Sequence, residues 1–119
     1  MTPPPESSSQ WLRGVLDVCL LAVVEDQPAY GYEMTSRLRE RGLNSVADGS
    51  IYPALARLER EGFLDSYQVR GESGPPRKYY RITDTGAGLL SDNRKQWAAF
   101  ASGVASVLRL EEGTNDQGR

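Results

Sequence analysis

Residues 49–58, GSIYPALARL, hold side chains suited to contact with a polyanion. Read as a helix, the segment hides Ile51, Leu55 and Leu58 and shows Ser50, Tyr52, Ala56, Arg57 and Arg60. Small residues let a helix sit close to a duplex. Hydroxyls and guanidinium groups then reach phosphates and base edges. The candidate DNA contacts on this helix are Ser50, Tyr52, Pro53, Arg57 and Arg60. Arg77 and Lys78 add two cations at the base of a following hairpin, where phosphates or a minor groove would pass. Tyr30, at the start of the preceding helix, completes the set through its hydroxyl. For Tyr52 the competing reading is a half-buried ring packed on the second helix. For Arg77 and Lys78 it is a solvated charge pair, and for Tyr30 it is packing.

Other chemistries are poorly supplied. The chain has one cysteine, Cys19, and no histidine. A zinc site or a Ser–His or Cys–His catalytic group therefore cannot be assembled, and no enzyme, metal or cofactor is expected. Cys19 lies in an apolar run, where a free thiol behaves as a small hydrophobe. The longest unbroken apolar stretch, Val18 to Val24, is too short to span a membrane. TPPPESSSQ at the start is unlike a signal peptide, so the expected address is cytoplasmic. The net charge of −2 is unevenly spread. Residues 1–29 carry −3, residues 30–81 carry +2 and residues 82–119 carry −1. The positive balance thus falls on the segment proposed to meet DNA.

These groups need elements to position them. Residues 1–9 are rich in Pro and Ser and are expected to be a disordered tail. A first helix should start near Gln10, with an apolar surface wide enough for burial on more than one side, and Pro28 should end it. A second helix should run from Gly31 to about Arg41, with Met34 and Leu38 inward, Arg37, Arg39 and Arg41 outward, and Gly42 as its cap. Gly49 or Ser50 should cap the third helix, with Pro53 in its first turn. Strands are expected at about 63–69 and 78–83, joined by RGESGPP.

Thr83 or Asp84 should cap a last long helix. Leu90, Asn93, Trp97, Phe100, Val104 and Val107 recur on it at alternating steps of three and four, a heptad seam that needs a partner. Leu90, Trp97, Phe100, Val104 and Val107 are therefore the candidate dimer contacts. Residues 111–119 read as a second disordered tail. The expected fold class is mainly α with a small β wing: a winged helix-turn-helix at 10–83 and a dimerisation helix at 84–110.

The motifs PAYGYEM at 28–34, GSIYPALARLEREGFL at 49–64 and RKYYRITDTG at 77–86, in this order and spacing, resemble the PadR family of bacterial transcriptional regulators, in particular its short members with one C-terminal helix. The resemblance spans roughly residues 10–108. It implies a homodimeric repressor acting on a double-stranded DNA operator and governed by a small ligand, here read as a small aromatic effector. The alternative is a winged-helix interaction module without operator binding. The resemblance also suggests a cavity where Trp97 meets its symmetry mate, with Asn93 one seam step before it to supply a hydrogen bond there or fix register. On the residues alone, Trp97 is dimer packing, and Asp17 either pairs with a basic residue such as Arg13 one turn earlier or faces a dimer cavity and orients a cationic ligand. In one respect this chain departs from the family pattern: Glu59 and Glu61 flank Arg60, which leaves fewer phosphate contacts.

Overall fold

The computed structural model describes residues 15–44, 46 and 48–110. The expected tails at 1–9 and 111–119, the helix start near Gln10, and Arg13 lie outside them. In chain order the elements are α1 (Leu16–Val23), β1 (Ala29–Tyr30), α2 (Gly31–Glu40), a 3-10 turn (Asp48–Ser50), α3 (Ile51–Arg60), β2 (Leu64–Val69), β3 (Arg77–Ile82) and α4 (Asp84–Leu108). Three helices, a three-stranded antiparallel sheet of order β1-β3-β2 and a long last helix make a winged helix-turn-helix with a C-terminal extension.

α1 lies at the centre. Leu20 and Leu21 are fully buried, and the helix touches α2, α3 and α4. That explains its wide apolar surface. The covering α4 belongs to the same chain, whereas a wide stripe also admits a partner's helix. α1 ends at Val23, before Pro28. Its last turn and the loop after it are held by Arg37, whose Nη1 donates to the carbonyls of Val23 (2.7 Å) and Gln27 (2.9 Å) and whose Nη2 donates to Pro28 O (3.3 Å). Arg37 therefore turns back onto the body instead of outward. Arg39 does likewise, donating from Nε and Nη2 to Val46 O at 3.2 and 2.8 Å. Carbonyls that would otherwise lack partners hold these cations against the surface of the body.

Three helices end the same way. After α2, Gly42 stands at φ +115° with Gly42 N–H bonded to Arg39 O and Leu43 N–H to Leu38 O. After α3, Gly62 stands at φ +86° with the equivalent pair of bonds to Glu59 and Leu58. After α4 the left-handed residue is Arg109, at φ 61°. Each is a Schellman cap, which is why Gly42 and Gly62 mark their helix ends in the sequence. Ser50 differs from expectation. It is in helical conformation at the close of the 3-10 turn, and its side chain makes no capping bond to α3.

Thr83 is the N-cap of α4. Its Oγ1 accepts from Gly86 N (2.9 Å) and donates to Gly62 O (2.7 Å), while its own N–H bonds to Phe63 O (3.2 Å). The long helix is thereby fastened to the α3–β2 junction. Glu25, beyond α1, and Arg94 on α4 add a two-bond ion pair at 2.7 and 2.9 Å. Leu90 is 1% exposed within this chain's own core. It therefore drops out of the candidate dimer contacts, because the first turns of α4 are consumed in covering α1.

β1 is the element that the sequence pattern lacks. Its two residues pair with β3, Ala29 with Tyr80 and Tyr30 with Tyr79. Two residues are too few to show a period.

Candidate nucleic-acid interface

α3 is amphipathic. Ile51, Ala54, Leu55 and Leu58 are buried against α1 and its neighbours. Ser50, Tyr52, Pro53, Ala56 and Arg60 lie on the exposed side. Tyr52 serves both of its alternative readings. It is 51% exposed, and its ring rests on the first residue of α2, where a Cβ on Gly31 would lie 2.8 Å from Cε1 and from the hydroxyl oxygen. Gly31 thus explains the glycine in YGYE: nothing larger fits beneath the ring. The hydroxyl of Tyr52 ends up beside the N-terminus of α2, a place that favours anions such as phosphate.

Arg57 departs from the expected exposed position. It lies on the flank of α3 that faces α1, and its Nη2 donates to Asp17 Oδ1 at 2.6 Å. Asp17 thus has a partner 40 residues away in the chain; the local candidate, Arg13, lies outside the described residues. The two side chains remain 42% and 41% exposed, so the pair is worth roughly 0.2–1 kcal/mol and does not bury the guanidinium.

The opposite flank of α3 meets the sheet. Ser66 Oγ on β2 donates to Glu59, and Lys78 Nζ on β3 forms an ion pair with the same carboxylate at 3.1 Å. The Ser66 hydroxyl, and then the Lys78 ammonium, hold the Glu59 carboxyl below its ordinary range, while Glu59 holds the Lys78 ammonium above its own. Glu59 thus braces the wing against the recognition helix instead of standing free beside Arg60.

The pleat separates Arg77 from Lys78, because successive strand residues face opposite ways. Lys78 is on the α3 side, and its ammonium also lies 5.4 Å from the centre of the Tyr80 ring. Arg77 is on the outer side, its guanidinium 4.6 Å from the Tyr30 ring centre. The two do not act as one cationic patch. On the outer side Tyr30 meets Tyr79 edge-on at 5.4 Å, Tyr79 stacks on Tyr67 at 5.9 Å, and Arg81 covers Tyr67 at 5.2 Å. Tyr30 is therefore part of an aromatic row under Arg77, and its N–H is capped by Glu33 Oε1 at 3.2 Å. Alternation along RKYYRI supplied the signal for this row; the cross-strand register with β1 completes it.

Asp17, Asn93 and Trp97 come together. With Val15, Val18, Gln96 and Phe100 they line an open cleft of about 610 Å³ between α1 and α4. Gln96 is an additional polar wall that the seam arithmetic passes over. Further along α4, Phe100, Val104 and Val107 are 64%, 39% and 81% exposed and border an apolar groove of about 490 Å³ with Ala99, Gly103 and Leu108. Trp97 is 49% exposed in the cleft, and Phe100 borders both hollows. Among the described residues no helix is long and apolar enough to cross a membrane.

Residues 20–92 match the family described as Transcriptional regulator PadR-like family. A solved PadR-like transcriptional regulator from Bacillus cereus is 36% identical, with a TM-score of 0.74 and coverage of 86% of this chain and 99% of that one. A PadR family transcriptional regulator from Eggerthella lenta is 34% identical, with a TM-score of 0.75 and coverage of 92% of each chain. Transcriptional regulator Rv3488 of Mycobacterium tuberculosis is 33% identical over 95 residues, 80% of this chain and 87% of that protein.

Proposed function

We propose that this chain, which belongs to the transcriptional regulator PadR-like family, is a homodimeric repressor that binds a specific DNA operator and is released from it by a small aromatic ligand. The observation that carries the DNA reading is the outer side of α3. There a hydroxylated aromatic, Tyr52, and Arg60 flank the small Ala56, and Arg57 stands at the edge with most of its donors open. Such a helix enters a major groove without a bulky side chain to hold it off. Arg77, at the base of the wing, then meets the backbone beside it.

The dimer reading rests on α4. Phe100 and Val107 are more exposed than a lone helix in water favours, and they follow the seam from Trp97. A second copy of the same helix covers them with like residues, as two-fold symmetry requires. Two recognition helices then present themselves to half-sites about one helical turn apart, ~34 Å. The cleft at Trp97, with an aromatic wall and a few polar groups, has the makeup of a small-molecule site.

The test is a footprint on the DNA upstream of the protein's own gene, with anisotropy titrations at one fixed salt concentration. Protection of a discrete site with dyad symmetry is expected. Equal binding to unrelated duplexes would leave the interaction-module reading instead. Val104→Asp should convert the dimer to monomer in sedimentation velocity and abolish the footprint. An unchanged dimer would refute the seam.

A further inference from the structure

One carboxylate touches two regions that the proposed function keeps apart. Asp17 lines the cleft beside Trp97 and Asn93. The same carboxylate, through Oδ1, accepts from Nη2 of Arg57 on the recognition helix at 2.6 Å. The pair bridges α1 and α3 directly, with no intervening element. Both side chains are about two-fifths exposed, at 41% for Asp17 and 42% for Arg57. A second ion can therefore reach either one.

An arginine in solvent explores many rotamers and loses that freedom on meeting DNA. A guanidinium offers five N–H donors in a fixed plane. Among the described residues Arg57 spends Nη2 on Asp17 alone, so one end of its guanidinium is anchored while Nε and Nη1 stay available. We infer that Asp17 is a positioning residue for Arg57, and that a planar aromatic cation in the cleft disables it by claiming the same carboxylate. A positive charge in contact with Asp17 shares its attraction and repels the guanidinium. Arg57 then loses its orientation without any movement of α3. The coupling is reciprocal: operator-bound protein takes the cation less tightly.

The inference rests on the proposed function and specifies its regulation. It differs from a gate that works by changing the distance between recognition helices, because it requires a charge on the ligand and on residue 17.

Two arms test it on the full-length dimer, using the operator from the footprint at fixed salt. The first compares wild type, Asp17→Asn, Arg57→Ala and the double variant. Asp17→Asn keeps the shape and removes the charge. It should weaken operator binding roughly fivefold, the worth of one half-exposed ion pair. The double variant should bind no worse than Arg57→Ala alone. Tighter or equal binding by Asp17→Asn would overturn the inference, since the acid would then only repel phosphate. Independent, multiplying losses would overturn it too.

The second arm uses a Trp11→Phe background, in which Trp97 is the remaining tryptophan. The probes are N-methylquinolinium and neutral quinoline. Both should quench Trp97, but only the cation should lower operator affinity, and Asp17→Asn should abolish that effect. Quenching by both with equal effects on the operator would overturn the charge coupling and leave the cleft as a ligand site. Quenching by neither would remove the effector reading and the coupling together, while the first arm still decides whether Asp17 positions Arg57. A wild type that binds no operator at all removes the proposed function itself.

Discussion

Gly86→Ala should be among the most damaging single-methyl changes in this protein, and its cost can be worked from the contacts. Gly86 is buried in the first turn of α4. A Cβ there would lie 2.2 Å from the carbonyl oxygen of Phe63, 2.9 Å from Ile82 Cγ1 and 3.1 Å from the Phe63 carbonyl carbon. Ordinary contact begins near 3.4 Å, so backbone must separate from backbone by ~1 Å in a close-packed interior. Overpacking of this kind costs about 1–3 kcal/mol. The obstructing carbonyl also accepts the Thr83 N–H, and stretching that bond adds about 1 kcal/mol. Against this stands a gain of ~0.5–1 kcal/mol from replacing glycine inside a helix. The net is a loss of about 1–3.5 kcal/mol, a substantial share of a typical domain's stability.

Gly88→Ala is the control. It lies in the same helix with nothing within 4 Å of its added carbon, so only the helix gain applies and the variant should be stabilised by up to ~1 kcal/mol. Urea unfolding followed by circular dichroism separates the two, at one protein concentration because any self-association is linked to folding. The midpoints should move in opposite directions with unchanged slopes. Midpoints that agree within ~0.5 kcal/mol would refute the claimed backbone approach, and with it the view that this contact sets the direction in which α4 leaves the winged helix.

On the proposed function, in which Arg77 meets the phosphate backbone, Arg77→Ala should weaken binding to all duplexes alike and flatten the salt dependence by about one phosphate contact; loss confined to the operator in parallel anisotropy titrations would contradict this. Glu59, with its pKa lowered by Ser66 and Lys78, stabilises the fold fully above its unfolded pKa of ~4.3 and loses that contribution as pH falls through the lower folded value. Glu59→Gln should therefore show a shallower loss of stability than wild type between about pH 5 and pH 2 in urea titrations, and parallel profiles would count against the bracing role. Burial pushes the Cys19 thiol above its ordinary range, so iodoacetamide should alkylate the native protein several-fold more slowly than the urea-unfolded chain at about pH 8; equal rates would place Cys19 in solvent.

The parts of this architecture that were legible in the sequence depend on short-range regularities. Ile51, Leu55 and Leu58 sit at helical spacing and are buried, and Gly42 and Gly62 adopt the left-handed conformation that their positions suggested. Elements without a period were not legible. β1 has two residues and exists because β3 has an edge to pair. Partners distant in the chain were also hidden. Sequence offers Asp17 only its neighbour Arg13, but the fold supplies Arg57, and the carbonyls that capture Arg37 and Arg39 carry no side-chain signature. A heptad seam shows that a helix needs company without saying where it leaves its own body, which is how Leu90 came to be grouped with Phe100 and Val107. The cavity at Trp97 followed from family resemblance and the reading of Asp17 from an acid interrupting an apolar helix, and each residue alone also had an ordinary explanation.

The net charge of −2 illustrates why composition constrains an interface so weakly. Two of the acids near α3 are occupied, Glu59 by Ser66 and Lys78 and Asp17 by Arg57, while Glu61 at its end enters no ion pair among the described residues. Glu25 is held at the far side by Arg94. Several cations are spent inside the body as well, since Arg37 and Arg39 tie loops through carbonyls. Arg60 on α3, and Arg77 and Arg81 on the outer side of β3, enter no ion pair among the described residues, and the last two are held flat against Tyr30 and Tyr67. A field is set by which charges remain uncompensated and where they stand, not by their sum. In this chain Glu59 and Asp17 are tied into the framework around α3, so an acidic protein can still present a basic edge.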